Sequence, residues 1–210
     1  VLYSGNKLKA KNYKLQPIVK DNLITYDASE WAENAKIDLK KRNSLINLPY
    51  IELIDSSGNE LLISQSNACL SYLGRKFKMF GVNEIEQTQC EQLLLETCDL
   101  RNIITSFAYT HFKNKDLENE AANEVFTKTF QNTNVGKMQK FEHWFDAKEE
   151  NKNYFLVNDI TVADFNLFDV LDFYIEFLKH YNFIEGKNDN DLLVALGYPN
   201  LSNFYQNFLS

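Results

Sequence analysis

The sequence predicts an α/β domain over residues 1–80, followed by an all-α helical domain over 81–210. Three observations carry that reading. Strand-like apolar runs and strong turn signals occur only ahead of Gly81; past it, apolar residues recur at the three-and-four spacing of helices. The 210 residues include only 7 Gly and 3 Pro, so most of the chain belongs to regular elements. The 16 Phe and 11 Tyr are ample for a packed core and exclude a disordered chain.

The elements follow in order. Val1-Leu2-Tyr3 reads as a short first strand. Lys9 to Lys20 puts Ala10, Tyr13, Leu15 and Ile18 on one helical face, and Leu23 to Tyr26 is a second strand candidate. The stretch from Glu30 to Asn43 is polar and fits neither pattern. Leu48 to Ile54 is a strand, Asp55-Ser56-Ser57-Gly58-Asn59 is a turn, and Leu61-Leu62-Ile63 pairs back as a hairpin. Ser66 can cap a helix that carries Ala68, Leu70, Leu73 and Phe77 and stops near Gly81.

Glu84 to Lys115 reads as one long helix, with Leu93, Leu94, Cys98, Ile104, Phe107 and His111 on its apolar side. A helix over Asn119 to Phe130 is expected to end at an Asn-rich break, Asn132 to Gly136, before a third helix reaching Ala147. Thr161-Val162-Ala163-Asp164 is a capping box. Its Thr hydroxyl is expected to take the Asp164 N–H while the Asp164 carboxylate reaches back to the Thr161 N–H, with Ile160 and Phe165 as the hydrophobic staple. Two short helices, near Asp189–Leu196 and Asn200–Leu209, close the sequence.

Charge narrows the function. With 22 basic and 29 acidic residues the net charge is −7, which argues against nucleic acid and anionic membranes as partners. It fits a cytoplasmic protein that handles small molecules. No apolar run reaches the ~18 residues of a membrane span, and the lysine-bearing first twenty residues lack the core of a signal peptide. Cys69, Cys90 and Cys98 are odd in number and have no CxxC spacing, so they read as reduced core thiols. His111, His143 and His180 have no partner at ligand spacing, so no metal is expected.

Two local features carry chemistry. In Asn47-Leu48-Pro49-Tyr50 a proline opens a strand. It is either an ordinary edge-strand proline or a cis peptide that turns the preceding N–H and C=O toward a ligand. In Gln65-Ser66-Asn67-Ala68 a strand ends directly at a helix start. Amides and a Ser hydroxyl there suit a carboxylate, or the Ser is a plain cap.

Together, Leu48-Pro49, Gln65-Ser66-Asn67-Ala68 and Tyr72-Leu73-Gly74-Arg75-Lys76 resemble the cytosolic glutathione transferase family, the mu class first and the sigma class next. Ile160 to Phe165 and Asp169-Val170-Leu171-Asp172 are similar to a helix start of that family, a folding element. The resemblance covers nearly the whole chain. It implies a thioredoxin-like N-terminal domain that holds glutathione and a helical domain that supplies most of the second-substrate pocket. It also implies a homodimer and glutathione as co-substrate, with no metal.

The resemblance carries over residue by residue. Tyr3, Ala10 and Leu15 keep the family's spacing, so Tyr3 is implied as the catalytic Tyr beside the glutathione sulfur. Trp31 is implied at the glycine end of glutathione. A lysine should follow it, and Lys36, Lys40 and Lys41 all compete for that place. Leu48, beside Asn47 and Pro49, would grip the cysteinyl portion through its backbone. Gln65 and Ser66 would hold the γ-glutamyl end. Asp99 keeps the mu spacing of an acid that reaches the partner subunit's glutathione. Tyr109 falls where the mu class has a second Tyr in the electrophile pocket, with Phe107 beside it.

There are departures. Ser4 stands where mu enzymes have Trp, no Arg precedes Trp31 at the expected place, and the segment from Trp31 to Asn47 is longer than in mu. The sequence ends soon after its last helix, which implies a more open electrophile site. The implied activity is conjugation of the glutathione thiolate to apolar electrophiles, as in detoxification. A non-catalytic assembly or binding domain, and a sigma-type isomerase or peroxidase, remain the alternatives. The joint presence of Tyr3, Gln65 and Ser66 favours catalysis.

Overall fold

The structure is a computed structural model that describes residues 10–20, 23–54, 57–113, 120–147, 155–180 and 189–209. The chain divides into two compact units, Val1–Phe77 and Lys78–Ser210. Met79 and Phe80 are buried in the second unit, where the Met79 carbonyl accepts the Val162 N–H at 2.9 Å.

The first unit carries two antiparallel hairpins. Strand β1, Gln16–Lys20, pairs with β2, Leu23–Asp27, in the register Gln16↔Asp27 to Lys20↔Leu23. This corrects the helix expected from Lys9 to Lys20. Pro17 has no N–H to give a helix interior, and the β-branched Ile18 and Val19 favour extended backbone. The strand expected at Val1-Leu2-Tyr3 lies outside the described residues.

The polar run after β2 becomes helical. Glu30–Ala35 is wound as a π-helix and leads into α1, Lys36–Lys40, so that the Lys36 N–H reaches the Trp31 carbonyl five residues back. Strand β3, Tyr50–Ile54, pairs with β4, Glu60–Ser64, from Tyr50↔Ser64 to Ile54↔Glu60. Arg42, just past α1, bonds the carboxylates of Glu52 on β3 and Glu60 on β4. Asn43 adds a 2.9 Å bond from Nδ2 to the Leu62 carbonyl. Helix α2, Ser66–Lys76, packs on the same hairpin.

The second unit holds α3 (Glu84–Lys113), α4 (Glu120–Asp146), α5 (Val162–His180), α6 (Asp189–Ala195) and α7 (Pro199–Leu209). Helix α3 packs on α4 and α5, and α7 packs on α4, α5 and α6. Leu94, Leu100, Ile104, Phe130, Leu167, Leu171 and Phe204 are fully buried between them. Each such side chain contributes about 1.5–3 kcal/mol of burial. The Phe130 ring lies 4.4 Å from Phe177 and 5.7 Å from Tyr174, whose phenol is pushed up from its ordinary value by burial.

The break expected at Asn132 to Gly136 is absent, since α4 runs straight through it. Thr129, Thr133 and Asn134 turn their side chains back onto the carbonyls of Val125, Thr129 and Phe130, at 2.8, 2.7 and 2.8 Å. The two Thr hydroxyls and the Asn134 NH2 group are thereby bonded inside the helix, while the buried Asn134 Oδ1 has no partner among the described residues.

Three helices of this unit start on a buried carboxylate. Asn83 Oδ1 accepts the Glu86 N–H at 3.0 Å, and the Glu86 carboxylate accepts the Val82 N–H at 2.9 Å, which closes α3. Asp164 accepts the Thr161 N–H, the Thr161 hydroxyl and the Leu156 N–H, each at 2.7 Å, ahead of α5. The reach of Asp164 back to Thr161 is as read from the sequence. The Thr161 hydroxyl, however, donates to the carboxylate, and the Asp164 N–H takes the Thr161 carbonyl at 3.2 Å. At α7 the Glu142 carboxylate of α4 accepts the N–H groups of Asn200 and Leu201, at 2.7 and 3.0 Å.

Candidate functional site

Tyr13, Tyr50 and Lys36 gather around Trp31. Trp31 is buried and lies in the π-helical stretch, and single π turns inside helices recur at functional sites. Tyr50 stacks on Trp31 with centroids 5.8 Å apart, and Tyr13 leans on it at 5.0 Å. The two phenols share a 2.8 Å hydrogen bond. Burial, and then that bond, push the Tyr50 phenol up to about 12. Neither Tyr13 nor Tyr50 was identified as a site residue from the sequence. The signal for Tyr13 was hidden by its place in the expected helix.

Lys36 and Asn47 close on this cluster. The Lys36 amine lies 5.9 Å from the Trp31 ring centroid and donates to Asn47 Oδ1 at 3.3 Å. Lys41 is instead paired with Asp38 at 2.7 Å, and Lys40 is exposed at the end of α1. Of the three candidate lysines, Lys36 is the one beside Trp31 and Asn47.

Asn47 is fixed from its backbone. Its N–H donates to Ser64 Oγ, and that hydroxyl donates to the Asn47 carbonyl, both at 2.9 Å. The next peptide, Leu48-Pro49, is cis, and both residues are exposed. The buried Cys69 thiol lies beneath, 3.9 Å from the Pro49 carbonyl and 3.8 Å from that of Ile63, and burial pushes it up. Cys69, Cys90 and Cys98 are all free.

Helix α2 starts differently from α3, α5 and α7. Its N-cap is Gln65 rather than Ser66, Gln65 makes no side-chain capping bond, and the first turn holds no acidic residue. Gln65 also sits at φ 78° and ψ 125°, a conformation a non-glycine residue holds only against strain. An α2 N-terminus without its own carboxylate retains a positive end that favours an anion.

The remaining candidates fall elsewhere. Tyr3 lies outside the described residues. Asp99, on α3 of the second unit, is 61% exposed and bonded to Lys137 at 2.8 Å; that lysine holds its carboxyl below the usual range. Phe107 and Tyr109 do not share a wall of α3. Residues two apart on a helix point to nearly opposite sides. Phe107 turns its ring edge to Phe130 at 5.1 Å, while Tyr109 is 62% exposed. Phe107 is half-buried on the side of α3 that meets α4.

No group of His, Cys, Asp and Glu among the described residues is arranged to hold a metal ion. No helix among them is long and apolar enough to cross a membrane. Arg42 and Glu142 are organising residues that sequence reasoning missed. A signal for Arg42 existed: Glu52 and Glu60 are diagonal neighbours on one face of the hairpin and need a cation.

Comparisons with known proteins bear on the family. The family model described as "Glutathione S-transferase, C-terminal domain" matches residues 98–210, more than half the chain. Glutathione S-transferase Mu 4 of Rattus norvegicus is 31% identical over 176 residues, covering 83% of this chain and 68% of that protein. Glutathione S-transferase B of Cavia porcellus is 29% identical over 207 residues, covering 98% and 76%. Among solved structures, a sigma class transferase of Fasciola hepatica superposes with a TM-score of 0.55 at 21% identity, over 81% of this chain and 71% of its own, a likeness of fold. On the extent of the family match and the identity to the mu transferases, the chain belongs to the glutathione S-transferase family.

Proposed function

We propose that this chain, a glutathione transferase by family, conjugates the glutathione thiolate to apolar electrophiles, and that Tyr3 donates the hydrogen bond that stabilises the thiolate. The observation that carries the reading is the gathering of Trp31, Lys36 and Asn47 immediately before the exposed cis Leu48-Pro49 peptide. The Lys36 amine and Trp31 would hold the glycine carboxylate of glutathione. The Leu48 backbone would pair with its cysteinyl portion. The γ-glutamyl carboxylate would meet the start of α2 at Gln65 and Ser66.

The energetics are adequate. A thiol with a pKa near 8.5 is only a few per cent ionised at pH 7. Lowering it by about two units requires ~2.7 kcal/mol of preference for the thiolate. One hydrogen bond to a charged acceptor supplies about 1.5–3 kcal/mol. A Tyr hydroxyl with an ordinary pKa near 10 acts as that donor, not as a base. Tyr109, exposed on α3, is proposed for the electrophile side. The biological role in this reading is detoxification in the cytoplasm, by a homodimer in which Asp99 reaches the partner subunit's glutathione.

Conjugation to chlorodinitrobenzene, followed by absorbance, tests the reading. Activity that saturates with glutathione is expected, and Tyr3→Phe should lower turnover at least about tenfold with glutathione still bound. Failure of the chain to bind glutathione at millimolar concentration would overturn the reading. Unchanged turnover in Tyr3→Phe would remove that residue from its role.

A further inference from the structure

We propose that Lys137 is a positioning residue for Asp99: it holds one carboxylate oxygen so that the other is presented to the α-ammonium of glutathione in the partner subunit. This rests on the reading of Asp99 given above. Two acids one turn apart on α3, Glu96 and Asp99, face two lysines one turn apart on α4, Lys137 and Lys140. Lys137 Nζ sits between both acids, 3.0 Å from Glu96 Oε1 and 2.8 Å from Asp99 Oδ2, whereas Lys140 reaches only Glu96, at 2.8 Å. The four charges are not equivalent. Lys137 and Glu96 are sheltered, with side chains 23% and 27% exposed, while those of Asp99 and Lys140 are 61% and 58% exposed.

The charges balance as two pairs, Lys137 with Asp99 and Lys140 with Glu96, and the sheltered Lys137 links them through its longer contact to Glu96. Of the two contacts Lys137 makes, the one to Asp99 is the shorter. What the contact does is fix an exposed carboxylate that would otherwise sample several rotamers. Among the described residues only Oδ2 is engaged, so Oδ1 is left as an acceptor on a defined bearing. An ammonium is the ligand such an oxygen suits, since each of its N–H groups makes a charge-assisted bond there. An ammonium has three donors, and Lys137 uses two of its own on the acids, which keeps it from turning away.

The test is steady-state kinetics on the full chain, with glutathione and with desamino-glutathione, which lacks the α-ammonium. Lys137→Met should raise KM for glutathione about three- to fivefold, with kcat and the KM for the desamino analogue unchanged. Lys137→Arg should restore the KM, and Lys140→Met should leave it alone. A second readout is pH. Lys137 and, from further off, Lys140 hold the Asp99 carboxyl low, Glu96 neighbours it on α3, and Asp169 of α5 is turned to Arg101. The acid rise of KM for glutathione should therefore move to higher pH in Lys137→Met. An equal rise in KM for both thiols, or no rise while Asp99→Asn does raise KM, overturns the role of Lys137 alone. No effect of Asp99→Asn on glutathione KM overturns the reading of Asp99 beneath it.

Discussion

Gln65 is held at a positive φ of 78° directly between β4 and α2. Backbone in such a region costs of order 1–3 kcal/mol for a residue with a Cβ, and it persists where the surroundings demand it. Here the demand is geometric, because the strand must turn into the helix within one residue while its side chain stays out of the cap. Gln65→Gly should therefore leave the urea midpoint unchanged or raised, by up to about 1 kcal/mol of stability, while glutathione KM rises about tenfold. A fall in stability with unchanged KM would make Gln65 a folding residue only. Lys36 lends itself to a parallel substitution. Lys36→Met should raise glutathione KM severalfold, whereas Lys41→Met, which breaks only the exposed pair with Asp38, should not.

At the scale of elements, the starts of α3, α5 and α7 depend on carboxylates that are themselves buried. Asp164 is fully buried and accepts three hydrogen bonds. Asp164→Ala orphans the Leu156 and Thr161 N–H groups together, so chemical denaturation should show a loss of about 3 kcal/mol or more. Glu86 carries a pH signature. The Val82 N–H, then Asn158, hold its carboxyl below its ordinary value of 4.5. A lowered folded pKa means that the unfolded chain takes up protons first on acidification. The stability Glu86 contributes is thus complete above about pH 4.5 and is lost as pH falls through the lowered folded value. The gap in urea midpoint between the native chain and Glu86→Gln should be widest at neutral pH and close toward pH 3. A gap that does not change with pH would show that the carboxylate's charge plays no part. Gly81 belongs to the same start: at φ 92°, a Cβ there would lie 2.7 Å from Glu86 backbone and side-chain carbons.

Over the whole molecule, what could be read from sequence is what depends on neighbours along the chain. Asp164 and Thr161 are three residues apart, so their capping box was visible as a string, as were the Leu48-Pro49 peptide and the hairpin around Gly58. Pro17 was a local signal too, but the apolar spacing of Ala10 to Ile18 outweighed it and gave a helix where β1 stands. Within α4 the Asn134 NH2 group donates to the Phe130 carbonyl four residues back, which residue type alone does not reveal. Glu142 beneath α7 and Arg42 across β3 and β4 join residues far apart in sequence, and no periodicity marks such partners. The separation of Phe107 from Tyr109 was legible in principle from helical geometry, and the shared aromatic character of the two obscured it. Trp31, Lys36 and Asn47 came together because the resemblance named them, while Tyr13 and Tyr50, which pack the Trp31 ring, had no such marker.

The open start of α2 has a consequence for how folding and ligand are coupled. Where α3 and α5 carry their own carboxylates and α7 borrows Glu142 from α4, α2 has no acidic residue in its first turn. The chain alone is then a slightly unfinished structure at that helix. The γ-glutamyl carboxylate proposed to seat there would then act as a removable part of the fold, and by mass action raising the glutathione concentration should raise the stability of the first unit.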